Sequence, residues 1–127
     1  MIAIKSGRLK SRKHIEELFK KGKFLHLYPL CVVYLPCSTL LTHQVLFAVS
    51  SKKIRSAVVR NKLKRRMREA YRLNKHYLTD YAGMYFLIGY IYTGSDKSCD
   101  FKAVQAKIVA AIHYLRKLRT HNDHDSL

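Results

Sequence analysis

Nine consecutive apolar residues, Met84 to Tyr92 (MYFLIGYIY), leave this chain few architectures. The run is far shorter than the ~20 residues a membrane-spanning helix needs. It also lacks the alternation of a half-exposed strand, so both of its faces must be covered. That is the pattern of a central strand in a sheet with layers on either side. Three weaker strand patterns precede it. Residues 24–28 and 30–35 (FLHLY and LCVVYL) are parted at Pro29, with Pro36 ending the second, and residues 44–50 alternate Val45, Phe47 and Val49 against Leu46, Ala48 and Ser50. Helical spacing accounts for the rest. Residues 8–22 have Ser11 as N-cap, an apolar patch of Ile15, Leu18 and Phe19, and Gly22 as the stop. Residues 56–73 form a second helix that runs on irregularly toward Gly83. Residues 101–119 form a third, capped by Asp100, with Phe101, Val104, Ile108, Ala111, Ile112, Leu115 and Leu118 on its buried stripe. The order α-β-β-β-α-β-α gives an α+β sandwich, helices laid on a four-stranded sheet. At 127 residues it is a single domain, 1–127, with an ordered core over about 8–119 and frayed termini that include His121 to Asp125.

The second helix is the unusual one. Residues 52–72 hold ten Lys or Arg and one acid in twenty-one positions, yet Leu63, Met67, Ala70 and Tyr71 still share one side. Arg60, Lys64, Arg68 and Arg72 form a second stripe, flanked by Lys62, Arg65 and Arg66. Like charges at i, i+4 cost a few tenths of a kcal/mol per pair, roughly, in an isolated helix. A polyanion outside and a packed core inside explain such loading better than a solvated charge run, because acids to balance it are almost absent. A formal net charge of +17 points the same way: nucleic acid first, an acidic membrane surface second.

Other function classes find little support. The first ten residues have no apolar core of a signal peptide, so a soluble, cytoplasmic protein is expected, with no membrane partner and no small-molecule substrate. Cys31, Cys37 and Cys99 form no C-x-x-C pair, and the seven His are scattered. Eight acids, none in a spacing that suits general acid–base work, make a protein-borne active site unexpected, and the expected catalytic residues are none.

The stretch S-K-K-I-x-x-A-V-x-R-N-K-L-K-R-R-x-R-E-A-Y-R, Ser51 to Arg72, resembles the protein subunit of bacterial ribonuclease P. In that family a strand ending in S-K-K leads into a helix bearing an R-N-R motif, whose place is taken here by Arg60-Asn61-Lys62. A second pattern, L-K-x-x-x-x-[IF]-x-x-[LV]-F-K-x-G, is met by Leu9 to Gly22. The element order is also the family's. Lys62 stands where Arg is usual, replacing a planar fork by a point charge. Arg55 and Phe47 stand where glycine is frequent, and Ile15 where Phe is.

The resemblance implies a four-stranded mixed sheet with a left-handed β-α-β crossover, a fold shared with a domain of a small-subunit ribosomal protein. It implies a subunit of an endoribonuclease whose chemistry belongs to the RNA. Its partners would be the catalytic ribonuclease P RNA, in a one-to-one complex, and precursor tRNA, whose 5′ leader is removed. Mg²⁺ would be bound chiefly by RNA and substrate; whether the protein holds a metal stays open. RNA contacts would fall on Lys52, Lys53, Arg60, Asn61, Lys62, Lys64, Arg65, Arg68 and Arg72; helical spacing by itself pairs Glu69 with Arg65 at i−4. Ile15, Phe19 and Tyr34 would line a leader cleft between the first helix and the sheet, where stacking serves because every base has a π-face. Ordinary core packing is the plainer reading of each aromatic. The main rival is a structural, ribosomal-type RNA-binding protein with no nuclease partner.

Overall fold

The computed structural model describes residues 8–37, 39–40, 42–78, 85–95 and 100–125. In chain order these form α1 (Arg12–Lys21), β1 (Lys23–Leu27), β2 (Leu30–Cys37), β3 (Gln44–Val49), α2 (Ala57–Asn74) with a 3₁₀ turn at Lys75–Tyr77, β4 (Tyr85–Tyr92) and α3 (Phe101–Asp125). The sheet runs β1-β2-β4-β3. β1 pairs with β2 and β2 with β4 antiparallel, whereas β3 and β4 are parallel, from Gln44 opposite Leu87 to Val49 opposite Tyr92. A parallel pair needs a long crossover, and α2 supplies it. The sheet is mixed and the domain α+β.

β4 lies at the centre and is covered on both faces, as its unbroken apolar run requires. Phe86, Ile88, Tyr90 and Tyr92 enter a large core with Leu63, Met67 and Ala70 of α2 and Val104, Ile108, Ala111, Ile112 and Leu115 of α3. On the other face, Leu87 joins Val33, Leu9, Leu40 and Leu18 of α1. Gly89 sits between them: a Cβ there would lie 2.8 Å from Val33 Cγ1 and 3.5 Å from Leu18 Cδ2, so its missing side chain lets α1 lie close to the sheet.

Local signals set several boundaries. The Ser11 hydroxyl accepts from the His14 N–H at 3.3 Å, and Asp100 Oδ1 from the Ala103 N–H at 2.8 Å, fixing the starts of α1 and α3. Gly22 ends α1 in an extended conformation (φ −68°), with its N–H donating to the Leu18 carbonyl. Glycine is needed there for space, since a Cβ would strike that carbonyl oxygen and lie 2.8 Å from Val33 Cγ2.

Two sequence expectations are corrected. Pro36 does not end β2, which continues to Cys37. Pro36 faces Phe86 across the ladder, but the Phe86 N–H donates to His43 Nδ1 at 2.9 Å, so that pair exchanges no bond through it. β1 begins with Lys23 opposite Tyr34, leaving the other side of Pro36 free of a neighbouring strand, and a proline is tolerated where no donor is required. The second correction concerns α3, which spans Phe101–Asp125 and so extends past the expected end at 119. The expected irregular end of the second helix at Gly83 falls outside the described residues.

Candidate nucleic-acid interface

α2 starts at Ser56, whose hydroxyl accepts from the Val59 N–H at 3.3 Å. Leu63, Met67 and Ala70 are buried against β3 and α3, and this leaves the cations to the remaining surface. No acid lies in the first turn. Glu69, expected beside Arg65, instead takes a two-pronged bond from Arg72, Nη2 to Oε1 at 2.6 Å and Nε to Oε2 at 3.0 Å. An acid N-terminal to its cation is the favoured order on a helix. The Arg72 guanidinium holds the Glu69 carboxyl below the usual carboxylate range.

The stripe of α2 opens on a cleft of about 940 Å³ at the β3 edge. Lys64, Arg68, Arg72 and Lys75 form one wall, Arg8 and Lys10 stand opposite, and Ile15, Leu46, Phe47 and Tyr71 contribute its apolar surface. Among the described residues no carboxylate lines it. Arg8 lies there because it bridges Val45 in parallel and the Leu9 N–H donates to the Val45 carbonyl at 3.0 Å. Phe47 is held by stacking on Tyr90 (5.6 Å between centroids) and edge-on against Tyr71 (6.0 Å). The Arg68 guanidinium lies 5.9 Å over the Phe47 ring, so one planar cation rests on a fixed aromatic.

The other expected contacts distribute themselves around this cleft. Lys62, Arg65, Arg66 and Glu69 border a shallower hollow of about 470 Å³ that ends at Phe101 of α3. Asn61 is exposed on α2 and does not cap it, since Ser56 does. Lys52 and Lys53 stand exposed on the turn between β3 and α2. Arg60 differs from its neighbours: its Nη1 donates to the carbonyls of Ile54 at 2.9 Å and Arg55 at 2.8 Å, back into that turn.

The leader cleft does not form from the three residues expected. Ile15 borders the β3-edge cleft, and Phe19, one turn later on the same side of α1, is 41% exposed. Tyr34 is buried on the opposite face of the sheet. Its hydroxyl meets that of Tyr114 at 3.2 Å, and its ring stands edge-on to Phe86 and Tyr114. Burial, with Tyr114 beside it, pushes its phenol up to about 12. Strand alternation turns Val33, not Tyr34, toward α1, and a slip of one residue in assigning a strand face reverses every side chain.

Arg8, Lys75, Leu46, Phe47 and Tyr71 were not among the expected site residues. Lys75 follows Arg72 at i+3, so the cationic stripe carried its own signal. Arg8 and Phe47 had none, because only the sheet edge brings them to α2. Among the described residues no three His, Cys, Asp or Glu side chains gather as a metal site, and no helix is long and apolar enough to cross a membrane.

The ribonuclease P family model matches residues 4–116 of this sequence. The chain belongs to the ribonuclease P protein family. The ribonuclease P protein component of Porphyromonas gingivalis is 42% identical over 113 residues, covering 80% of this chain and 77% of the relative. That of Chlorobium phaeobacteroides is 37% identical over 105 residues, covering 76% and 72%. Among solved structures, the RNase P protein of Staphylococcus aureus superposes with a TM-score of 0.68 at 20% identity, over 89% of this chain and 97% of that one. The RNase P protein of Thermotoga maritima gives 0.66 at 27% identity, over 84% and 96%. The S. aureus likeness bears on the fold, and the family membership rests on the sequence matches.

Proposed function

We propose that this chain is the protein subunit of ribonuclease P, binding the catalytic RNA through α2 and its preceding turn and promoting removal of the 5′ leader from precursor tRNA. The observation that carries this reading is the cleft walled by Lys64, Arg68, Arg72 and Lys75 on α2 and by Arg8 and Lys10 before α1. Two cationic walls with an apolar, aromatic surface between them suit an unpaired strand, its phosphates on the walls and its bases inward. Lys52, Lys53, Lys62 and Arg65 extend the phosphate contacts beyond the cleft, and Asn61 offers a neutral hydrogen-bonding group on the same helix. In this reading Ile15 and Phe19 hold the leader along the exposed side of α1.

The chemistry is assigned to the RNA. Mg²⁺ prefers hard oxygen ligands and keeps several waters. The described side chains do not gather such a set, and the cations of α2 would repel the ion. In this reading RNA and substrate phosphates carry Mg²⁺, and the protein, by offsetting their repulsion, lets less Mg²⁺ suffice.

The test is reconstitution. The purified chain, added to a ribonuclease P RNA at low Mg²⁺, is expected to restore cleavage of precursor tRNA at the mature 5′ end. Tight RNA binding with no gain in cleavage would overturn the assignment and favour a purely structural role.

A further inference from the structure

We infer that Arg60 acts as a positioning residue: its guanidinium fixes the turn that presents Lys52 and Lys53, and does not itself take a phosphate. The inference rests on the RNA-binding reading above and separates Arg60 from the contacts with which the family resemblance grouped it.

The turn is anchored at every point except its tip. The Ser50 N–H donates to the Tyr92 carbonyl and the Ile54 N–H to the Ser50 carbonyl, each at 3.0 Å. The Ile54 side chain is fully buried. Arg60 closes the far side by donating from Nη1 to two successive carbonyls, those of Ile54 and Arg55. Between these anchors Ser51, Lys52 and Lys53 are exposed.

Electrostatics explain why a clamp is needed. A helix N-terminus carries a partial positive charge and normally gathers acids. Here its first turn holds none, and Lys52, Lys53 and Arg55 precede it closely. Mutual repulsion favours opening of this turn. Charge-assisted bonds to carbonyl oxygens are among the stronger hydrogen bonds available, and they draw the Ile54 and Arg55 carbonyls inward. The lysines then stand ready on one side of α2 before any RNA arrives, which lowers the ordering cost of binding. Arg60 is half-buried in this role, whereas Arg65 and Arg68 are exposed.

Arg60→Met keeps the apolar stem and removes the donors, and two measurements read the result. In the folded chain without RNA, hydrogen exchange at the Ile54 amide is expected to quicken by about tenfold or more, with β4 still protected. Unchanged exchange there would overturn the clamp. RNA affinity is then compared across salt for wild type, Arg60→Met, the Lys52→Ala/Lys53→Ala pair and the triple variant. Arg60→Met is expected to weaken binding by about tenfold in wild type, yet by less than about threefold once both lysines are gone. Equal losses in both backgrounds, each with a salt slope lower by about 0.7–0.9, would mark a direct phosphate contact and overturn the proposal. Should Arg60→Met lose β4 protection as well, Arg60→Gln carries the same two readouts. A wild-type chain that fails to bind the RNA would remove the functional reading and leave the exchange measurement standing.

Discussion

Phe19 and Tyr34 were grouped by resemblance as leader-stacking aromatics, and the structure sends them to opposite sides of the sheet. Tyr34→Ala removes a buried ring from between Phe86 and Tyr114 and is expected to cost about 3–5 kcal/mol of stability. The ratio of precursor to mature tRNA affinity should stay near wild type. Phe19→Ala should do the reverse, leaving the urea midpoint nearly unchanged while losing up to ~1–3 kcal/mol of precursor preference. Equilibrium unfolding and paired affinities separate the two cases. Tyr34 was misplaced because both faces of β2 are apolar, so periodicity alone could not say which side met α1. His43 was no more legible. It is buried, accepts from the Phe86 N–H and bonds the Leu78 carbonyl through Nε2 at 3.1 Å, joining the start of β4 to the end of the 3₁₀ turn. A lone histidine in a loop pattern gives no sign of this. His43→Ala leaves two polar groups of the backbone short of a partner and should cost about 1–3 kcal/mol for each, seen as a lower urea midpoint with unchanged slope.

At the scale of elements, helices and strands were readable wherever one property governed them. The apolar run of β4 required cover on both faces and received it from α1 on one side and α2 with α3 on the other. The dual character of α2 was equally plain, because its apolar and cationic stripes are separate on a helical wheel. Boundaries set by partners from elsewhere in the chain were not readable. Pro36 is harmless only because β1 does not extend to it. Phe47 finds its use only beside Arg68 and Tyr71. The seating of α1 depends on one gap in β4, so Gly89→Ala should force Val33 or α1 to shift and lower stability by about 1–3 kcal/mol, measured as a drop in Tm. The cationic wall offers a second check at this scale. Each of Lys64→Ala and Arg68→Ala should lower the slope of log affinity against log salt by about 0.7–0.9, with weakening spread across different precursor tRNAs.

For the molecule as a whole, the buried phenols tie stability to high pH. Three phenols, Tyr34, Tyr71 and Tyr90, are raised above the ordinary tyrosine range, chiefly by burial. A folded state that holds its phenolic protons more tightly than the unfolded chain is destabilised as pH climbs past the unfolded value near 10. Stability contributed by Tyr34 should be intact below about pH 10 and be progressively lost toward about 12, where its folded-state group ionises. Thermal unfolding at about pH 9 and about pH 11 should show the fall, and Tyr34→Phe should lessen it.

The parallel join of β3 to β4 also has a consequence in time. The strand that ties β2 to β3 is synthesised after both of them and after α2. A chain that stops short of Tyr85 therefore carries the β1–β2 hairpin and the whole cationic helix, with nothing between β2 and β3 and with Leu63, Met67 and Ala70 still uncovered. Such a fragment would adhere to any nucleic acid through charge alone while exposing an apolar stripe prone to aggregation. That stripe is fully covered only once β4 and α3 have both been made.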